Sequence, residues 1–201
     1  MTERSIFPTL LHEAALDDDA LLAELDRSVR SFAVDDMAGR RWCKEHGYRG
    51  YTSYASLDDL PRRDPAFAAL KRLLDRHVAR FADACAFDLG GRKLKLDGLW
   101  VNLLKPGGHH SAHIHPHSAV SGTLYVALPP GAGAIRFEDP RLGLMMATPP
   151  RRADAPEAMR TFRTVAPAPG TVLLWESWLR HEVLPHTGKD ERISVSFNYR
   201  W

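Results

Sequence analysis

The chain has 201 residues, 44% hydrophobic and 26% charged, enough apolar material for one sizeable core and too little for a second, so a single domain over 1–201 is expected. Its 27 basic and 25 acidic side chains leave a formal net charge of +2, which offers no bulk attraction to a polyanion, and no nucleic acid partner is expected. Cys43 and Cys85 are the only cysteines; they form neither a disulfide framework nor a thiolate zinc site, in keeping with a reducing cytoplasm.

The opening residues are interrupted by Pro8, His12 and the acids Asp17 to Asp19, so they lack the apolar run of a secretory signal. No stretch approaches the roughly 20 apolar residues needed to span a bilayer, and no membrane partner is expected. From Leu16 to Phe32, Leu21, Leu22, Leu25, Val29 and Phe32 recur near helical spacing, with acids where a helix N-terminus favours them. The polar, aromatic-rich stretch from Met37 to Leu60 reads as loop or short edge strand. From Pro65 to Phe87, Phe67, Leu70, Leu73, Leu74, Val78 and Phe81 mark one face of a second helix that ends before Gly90 and Gly91. Residues 1–92 therefore read as a mostly helical support.

After Gly91 the pattern changes to short runs rich in Val, Leu, Ile and aromatics, broken by Pro and Gly clusters. Strands are expected at Leu94–Leu104, His113–His117, Gly122–Leu128, Ala134–Glu138, Thr171–Trp175, His181–Val183 and Arg192–Tyr199. Helices first and strands afterwards, without alternation, favour antiparallel pairing. The fold class is mainly β, a double-stranded β-helix (jelly roll) over residues 93–201 buttressed by α-helices.

Two segments carry chemistry. Residues 109–117 read HHSAHIHPH, five of the ten histidines within nine positions. On an extended strand His113 and His115 share a face and present two imidazoles to one metal, while Ile114 points away and Pro116 limits the ladder. An isolated H-x-H is also common in polar loops, so the cluster alone does not make a metal site. Far along the chain, His181 ends an apolar stretch and Arg192 opens the last strand. From there Arg192, Ser194, Ser196 and Asn198 alternate with Ile193, Val195 and Phe197. If the apolar face packs and the polar face lines a cavity, Arg192 and Ser194 form a carboxylate-binding wall, a planar fork beside a hydroxyl donor. A half-exposed strand with Arg192 in a surface ion pair is the other reading.

The joint order of these residues resembles the iron(II)/2-oxoglutarate oxygenases, and more narrowly a branch carrying H-x-H-P. The resemblance rests on His113, His115, Pro116, Ser121, Gly122, Tyr125, Phe137, Asp139, Pro140, Arg141, His181, Arg192, Ser194, Phe197 and Asn198, with a short opening match at Ile6, Phe7 and Pro8. It implies Fe(II) as the metal and 2-oxoglutarate as co-substrate. His113 and His181 would be metal ligands, Arg192 would pair with the far co-substrate carboxylate, and Ser194 and Tyr125 would donate to it. His115 stands at the third ligand position, where most of the superfamily has Asp or Glu, so the metal would keep more positive charge. The implied reaction is hydroxylation of a small molecule or peptide.

Two other functions fit the same residues: a cupin-like three-histidine metal enzyme that does not use 2-oxoglutarate, and a non-catalytic metal-dependent binding module. Asn102 is a candidate for reaching the co-substrate, with a surface-facing amide as the equal alternative. His109, His110 and His117 read as loop histidines, a supporting or substrate-side role being the alternative; Glu138 and Asp139 are the nearest downstream carboxylates and candidates for the metal, although Asp139 before Pro140 reads better as organising a turn; and Trp175, Trp178 and Trp201 read as packing or pocket-wall residues. Nothing singles out His186. Oligomeric state is open, a homodimer included.

Overall fold

The computed structural model describes residues 2–201. The N-terminal half contains β1 (Leu11–Ala15), α1 (Asp19–Asp35), α2 (Met37–Glu45), β2 (Gly50–Thr52), α3 (Leu60–Arg63) and α4 (Pro65–Ala84). There follow β3 (Lys95–Leu104), β4 (His110–His113), β5 (Val120–Ala127), β6 (Ile135–Glu138), β7 (Phe162–Val165), β8 (Thr171–Glu176), β9 (His181–Val183) and β10 (Arg192–Arg200). The strands pair antiparallel in two sheets, ordered β1-β8-β5-β10-β3-β2 and β4-β9-β6-β7. This is the expected jelly roll.

The helices begin where short acids satisfy free backbone donors. Asp18 accepts from Leu21 N at 2.9 Å, Asp36 from Gly39 N at 2.9 Å and Asp64 from Ala66 N at 2.7 Å, and Pro65 occupies the first turn of α4. The apolar stripes of α1 (Leu21, Leu25, Val29) and α4 (Phe67, Leu70, Leu74, Val78, Phe81) share one core with Leu99, Val101, Leu124, Val172, Leu174 and, from β10, Ile193, Val195, Phe197 and Tyr199. A smaller core between the sheets holds Tyr125, Ile135, Phe137, Val165, Leu173, Trp175 and Leu179. The alternation read in β10 is therefore a division of labour. Its apolar residues pack toward the helices, and Arg192, Ser194, Ser196 and Asn198 border an internal cavity.

The expected Ser-Gly step has a packing reason. A Cβ on Gly122 would lie 2.5 Å from the Phe197 ring and 2.6 Å from the Leu173 carbonyl, because β5 is squeezed between β10 and β8.

Several expectations are corrected. The stretch from Met37 contains the helix α2, hidden in the sequence by Gly39 and its charged neighbours; the close approach of Asp36, whose Oδ2 would lie 2.3 Å from a Cβ there, explains the glycine. β1 and β7 are additional strands, short and at the sheet edges. The strand expected at His113–His117 instead spans His110–His113, because Pro116 cannot donate to a ladder and His117 turns the chain with φ at 69°. Trp178 and Trp201 are exposed, and only Trp175 among the three is buried.

Candidate metal centre and carboxylate pocket

His113 ends β4 directly opposite His181 at the start of β9. His115 lies beyond the strand, so its convergence with His113 does not come from strand alternation. Its backbone N–H donates to Ser177 O at 3.0 Å, and the Nδ2 of Asn198 lies 3.4 Å from its Nδ1. One ligand nitrogen from each of His113, His115 and His181 falls within 4.8 Å of the others.

The Nε2 atoms of His115 and His181 are 3.3 Å apart. Two nitrogens each about 2.1 Å from one metal ion are about 3.0 to 3.4 Å apart at right-angled to tetrahedral geometry. The spacing suits a shared ion.

The outer nitrogens fix the tautomers. His181 Nδ1–H donates to Leu179 O at 2.9 Å and His113 Nδ1–H to Ser111 O at 2.6 Å, leaving both Nε2 lone pairs free for a metal. Burial, then the neighbouring His113, pushes His181 down to about 3 and His115 down to about 4. Both are unprotonated bases at neutral pH. The nearby carboxylates are engaged elsewhere. Asp139 accepts from Arg141 N at 2.9 Å and forms an ion pair with its guanidinium, closing a turn, and Glu138 pairs with Arg180 at 3.4 Å.

The same cavity, about 300 Å³ in volume, is bordered by Arg192, Ser194, Tyr125 and Asn102. Arg192 is 1% exposed. Its Nε donates to Gly133 O at 3.1 Å and its Nη1 to Ser194 Oγ at 3.1 Å, and the guanidinium carbon stands 5.2 Å from the Tyr125 ring centre. Burial lowers its pKa while Tyr125 and Tyr48 raise it; a guanidinium stays charged regardless. Among the described residues no carboxylate forms an ion pair with it. A buried charge without a counter-charge is strongly unfavourable, and an anion at this wall would relieve it.

Tyr125 adds a donor. Its hydroxyl is buried with no partner among the described residues, and burial pushes the phenol up to about 12, which keeps its proton on. Asn102 is committed largely to the protein: its Oδ1 accepts from Thr52 Oγ1 at 2.9 Å and Tyr48 Oη at 3.3 Å, and its Nδ2 donates to Ser196 Oγ at 3.0 Å.

Three residues of the pocket do more than their sequence reading assigned to them. His110 is not a loop histidine: it borders the cavity, sits 2.9 Å from Tyr48 Oη through its Nε2, and is driven down to about 3 by burial and then by Arg192. Tyr48 came from a stretch read as loop. Trp175 packs edge-on to His181 at 4.7 Å between ring centres, and its indole N–H is buried without a partner among the described residues. His109 and His117 are exposed, and the buried His186 braces a loop through Gly131 O at 3.1 Å and Asp190 O at 2.5 Å.

The family model described as "Putative 2OG-Fe(II) oxygenase" matches residues 98–198, half of the chain. The chain belongs to this oxygenase family. Membership brings iron(II) and 2-oxoglutarate with it, and the imidazole cluster and unpaired guanidinium of this oxygenase fit the two. No curated protein sequence matches it. Among solved structures, a prolyl-4-hydroxylase from Pseudomonas putida is similar at 19% identity and a TM-score of 0.61, over 96% of this chain and 94% of that one. The epimerase SnoN in complex with Fe3+, alpha ketoglutarate and nogalamycin RO is similar at 16% identity and a TM-score of 0.64, covering 96% and 79%. HygX from Streptomyces hygroscopicus with nickel, 2-oxoglutarate and hygromycin B is similar at 18% identity and 0.61, covering 96% and 83%. At these identities the likeness is one of fold, and the fold is the double-stranded β-helix described above.

Among the described residues no helix is long and apolar enough to cross a membrane.

Proposed function

We propose that this oxygenase hydroxylates a small molecule or peptide in the cytoplasm, with iron(II) held by His113, His115 and His181 and 2-oxoglutarate anchored by Arg192. The observation that carries the reading is the buried Arg192, without a protein carboxylate, bordering the same cavity as three converging imidazoles. A dianionic co-substrate satisfies both features at once. When bound, iron(II) and 2-oxoglutarate would supply the chemistry with dioxygen as the oxidant: one oxygen atom would end in succinate as the co-substrate loses carbon dioxide, and the other would be inserted into a substrate C–H bond.

The side chains do the rest. Arg192 and Ser194 hold the far carboxylate, and the unpartnered Tyr125 hydroxyl donates to it. Asn102 holds Tyr48, which in turn holds His110 along the cavity wall. The Trp175 N–H, beside His181, is a donor for an oxygen at the metal end. Ser177 O and Asn198 keep His115 in place. The domain reading, one unit over 1–201, is supported by the core that α1 and α4 share with β3, β5 and β10.

Incubation of iron-loaded protein with 2-oxoglutarate and oxygen tests this. Succinate should form slowly even without the true substrate, and His181→Ala should abolish it. Folded, metal-loaded protein that neither binds nor consumes 2-oxoglutarate would overturn the proposal. If Arg192→Met instead retains full activity, the three-histidine enzyme without a 2-oxoglutarate requirement is the better reading.

A further inference from the structure

We infer that the substrate of this site is a ring-bearing small molecule without positive charge, seated with its ring against Trp100 and Tyr54. The inference rests on the co-substrate reading above and names the substrate class for it.

An aromatic wall leads outward from the metal centre. The Trp100 ring lies 5.9 Å from the ring of His115, and Tyr54 meets Trp100 edge-on at 5.3 Å. Both border the cavity, as does Ile114. Tyr54 is 65% exposed and Ile114 44% exposed, so large apolar side chains stand in solvent at the point where the cavity opens. Exposed apolar surface continuous with a pocket marks ligand contact. A group placed beside His115 and the metal would lie against the Trp100 face, and a flat or puckered ring covers that face best.

Charge decides the rest. Aromatic faces also attract cations, so the wall alone would accept an ammonium. Among the described residues no Asp, Glu or Lys borders the cavity, and the one permanently charged side chain there is Arg192. Where a carboxylate ligand would supply a negative charge, this chain has the neutral His115. A divalent metal and Arg192 bring three positive charges, the dianionic co-substrate two negative ones, and the loaded site stays positive. In a partly dehydrated pocket an ammonium is repelled, while an acid or a neutral ring is accepted.

The test uses three probes of one shape: hydrocinnamate, hydrocinnamyl alcohol and phenylpropylammonium, titrated calorimetrically into protein loaded with nickel(II) and 2-oxoglutarate. The acid and the alcohol should bind at least about tenfold more tightly than the ammonium. Trp100→Ala should weaken both at least about tenfold, Trp100→Phe should restore most of the loss, and Tyr54→Ala, at an exposed position, should give a smaller loss in the same direction.

An ammonium that binds as well as the acid, an acid and alcohol that do not bind, or a Trp100→Ala protein with unchanged affinities would overturn the inference. Affinity for 2-oxoglutarate, measured in the same preparations, separates the two possible failures. If wild-type protein does not bind 2-oxoglutarate, the co-substrate reading fails and this inference with it. If wild type and Trp100→Ala bind it equally while the probes disobey the order, this inference alone fails.

Discussion

At one end of the cavity burial strips protons from imidazoles; at the other it leaves a guanidinium charged. The physical force is the same at both ends, since desolvation always penalises the charged form. The outcome differs because an imidazole near 6.5 can lose its proton cheaply and a guanidinium cannot. The protein thus assembles, from one hydrophobic interior, a set of free lone pairs for a cation and a fixed cation for an anion. On the function proposed above, a single ligand pair, metal plus dicarboxylate, would complete both.

The sharpest way to break this contrast is to delete one imidazole. His181→Ala should lower metal affinity by more than about 100-fold, exceeding the loss typical of a group that only supports a ligand, and metal analysis of purified protein measures it. At the other end, Arg192→Met should leave metal content unchanged and weaken 2-oxoglutarate binding by about 30- to 1000-fold, as expected for a buried charge-assisted contact worth about 2–4 kcal/mol. Without co-substrate the same variant should melt at an equal or higher temperature than wild type, because it removes a buried charge lacking a counter-charge. A lower melting temperature would show that Arg192 is satisfied by the protein itself.

The imidazole end also makes a pH prediction. His110, His115 and His181 are pushed to about 3, about 4 and about 3, so below pH 6.5 the unfolded chain binds protons that the metal-free folded protein refuses. Their contribution to stability is complete above pH 6.5 and is lost as pH falls toward 4, by up to about 1.4 kcal/mol per pH unit for each group. Chemical denaturation of metal-free protein between pH 7 and pH 4.5 should show this slope, and a flat profile would contradict the burial argument. The smallest effects concern the two unpartnered donors. Tyr125→Phe should weaken 2-oxoglutarate binding by about fivefold to tenfold, and Trp175→Phe by about threefold to tenfold, each the scale of one hydrogen bond, without loss of thermal stability.

Much of this was legible in the chain. The strict alternation from Arg192 to Asn198 assigned each side chain to its face, because a strand with one packed and one polar face admits a single register. His113 and His181 were paired by the resemblance to the oxygenases, and the fold sets them opposite one another. His115 was found for a wrong reason: the strand stops at His113, and its ring is brought round by the turn through Pro116 and by Ser177 and Asn198.

His110 could not be distinguished from its neighbours. An irregularity between His110 and His113 sets which of them faces inward, and local sequence does not encode that shift. Trp175 looked like any aromatic in an apolar strand, since only its unpaired N–H beside His181 sets it apart. Tyr48 follows α2, and a nine-residue helix carrying a glycine and four charged residues shows too little apolar periodicity to be read.

The central claim is that the imidazoles and Arg192 grip one metal-bound co-substrate between them. Its most direct test is an anaerobic titration of iron(II)-loaded protein with 2-oxoglutarate, followed by visible absorption. A weak charge-transfer band should grow to saturation near one equivalent in wild type and shift to far higher concentrations in Arg192→Met. Folded, iron-loaded wild type that shows no band at saturating 2-oxoglutarate, or an Arg192→Met curve that overlays it, would contradict the account.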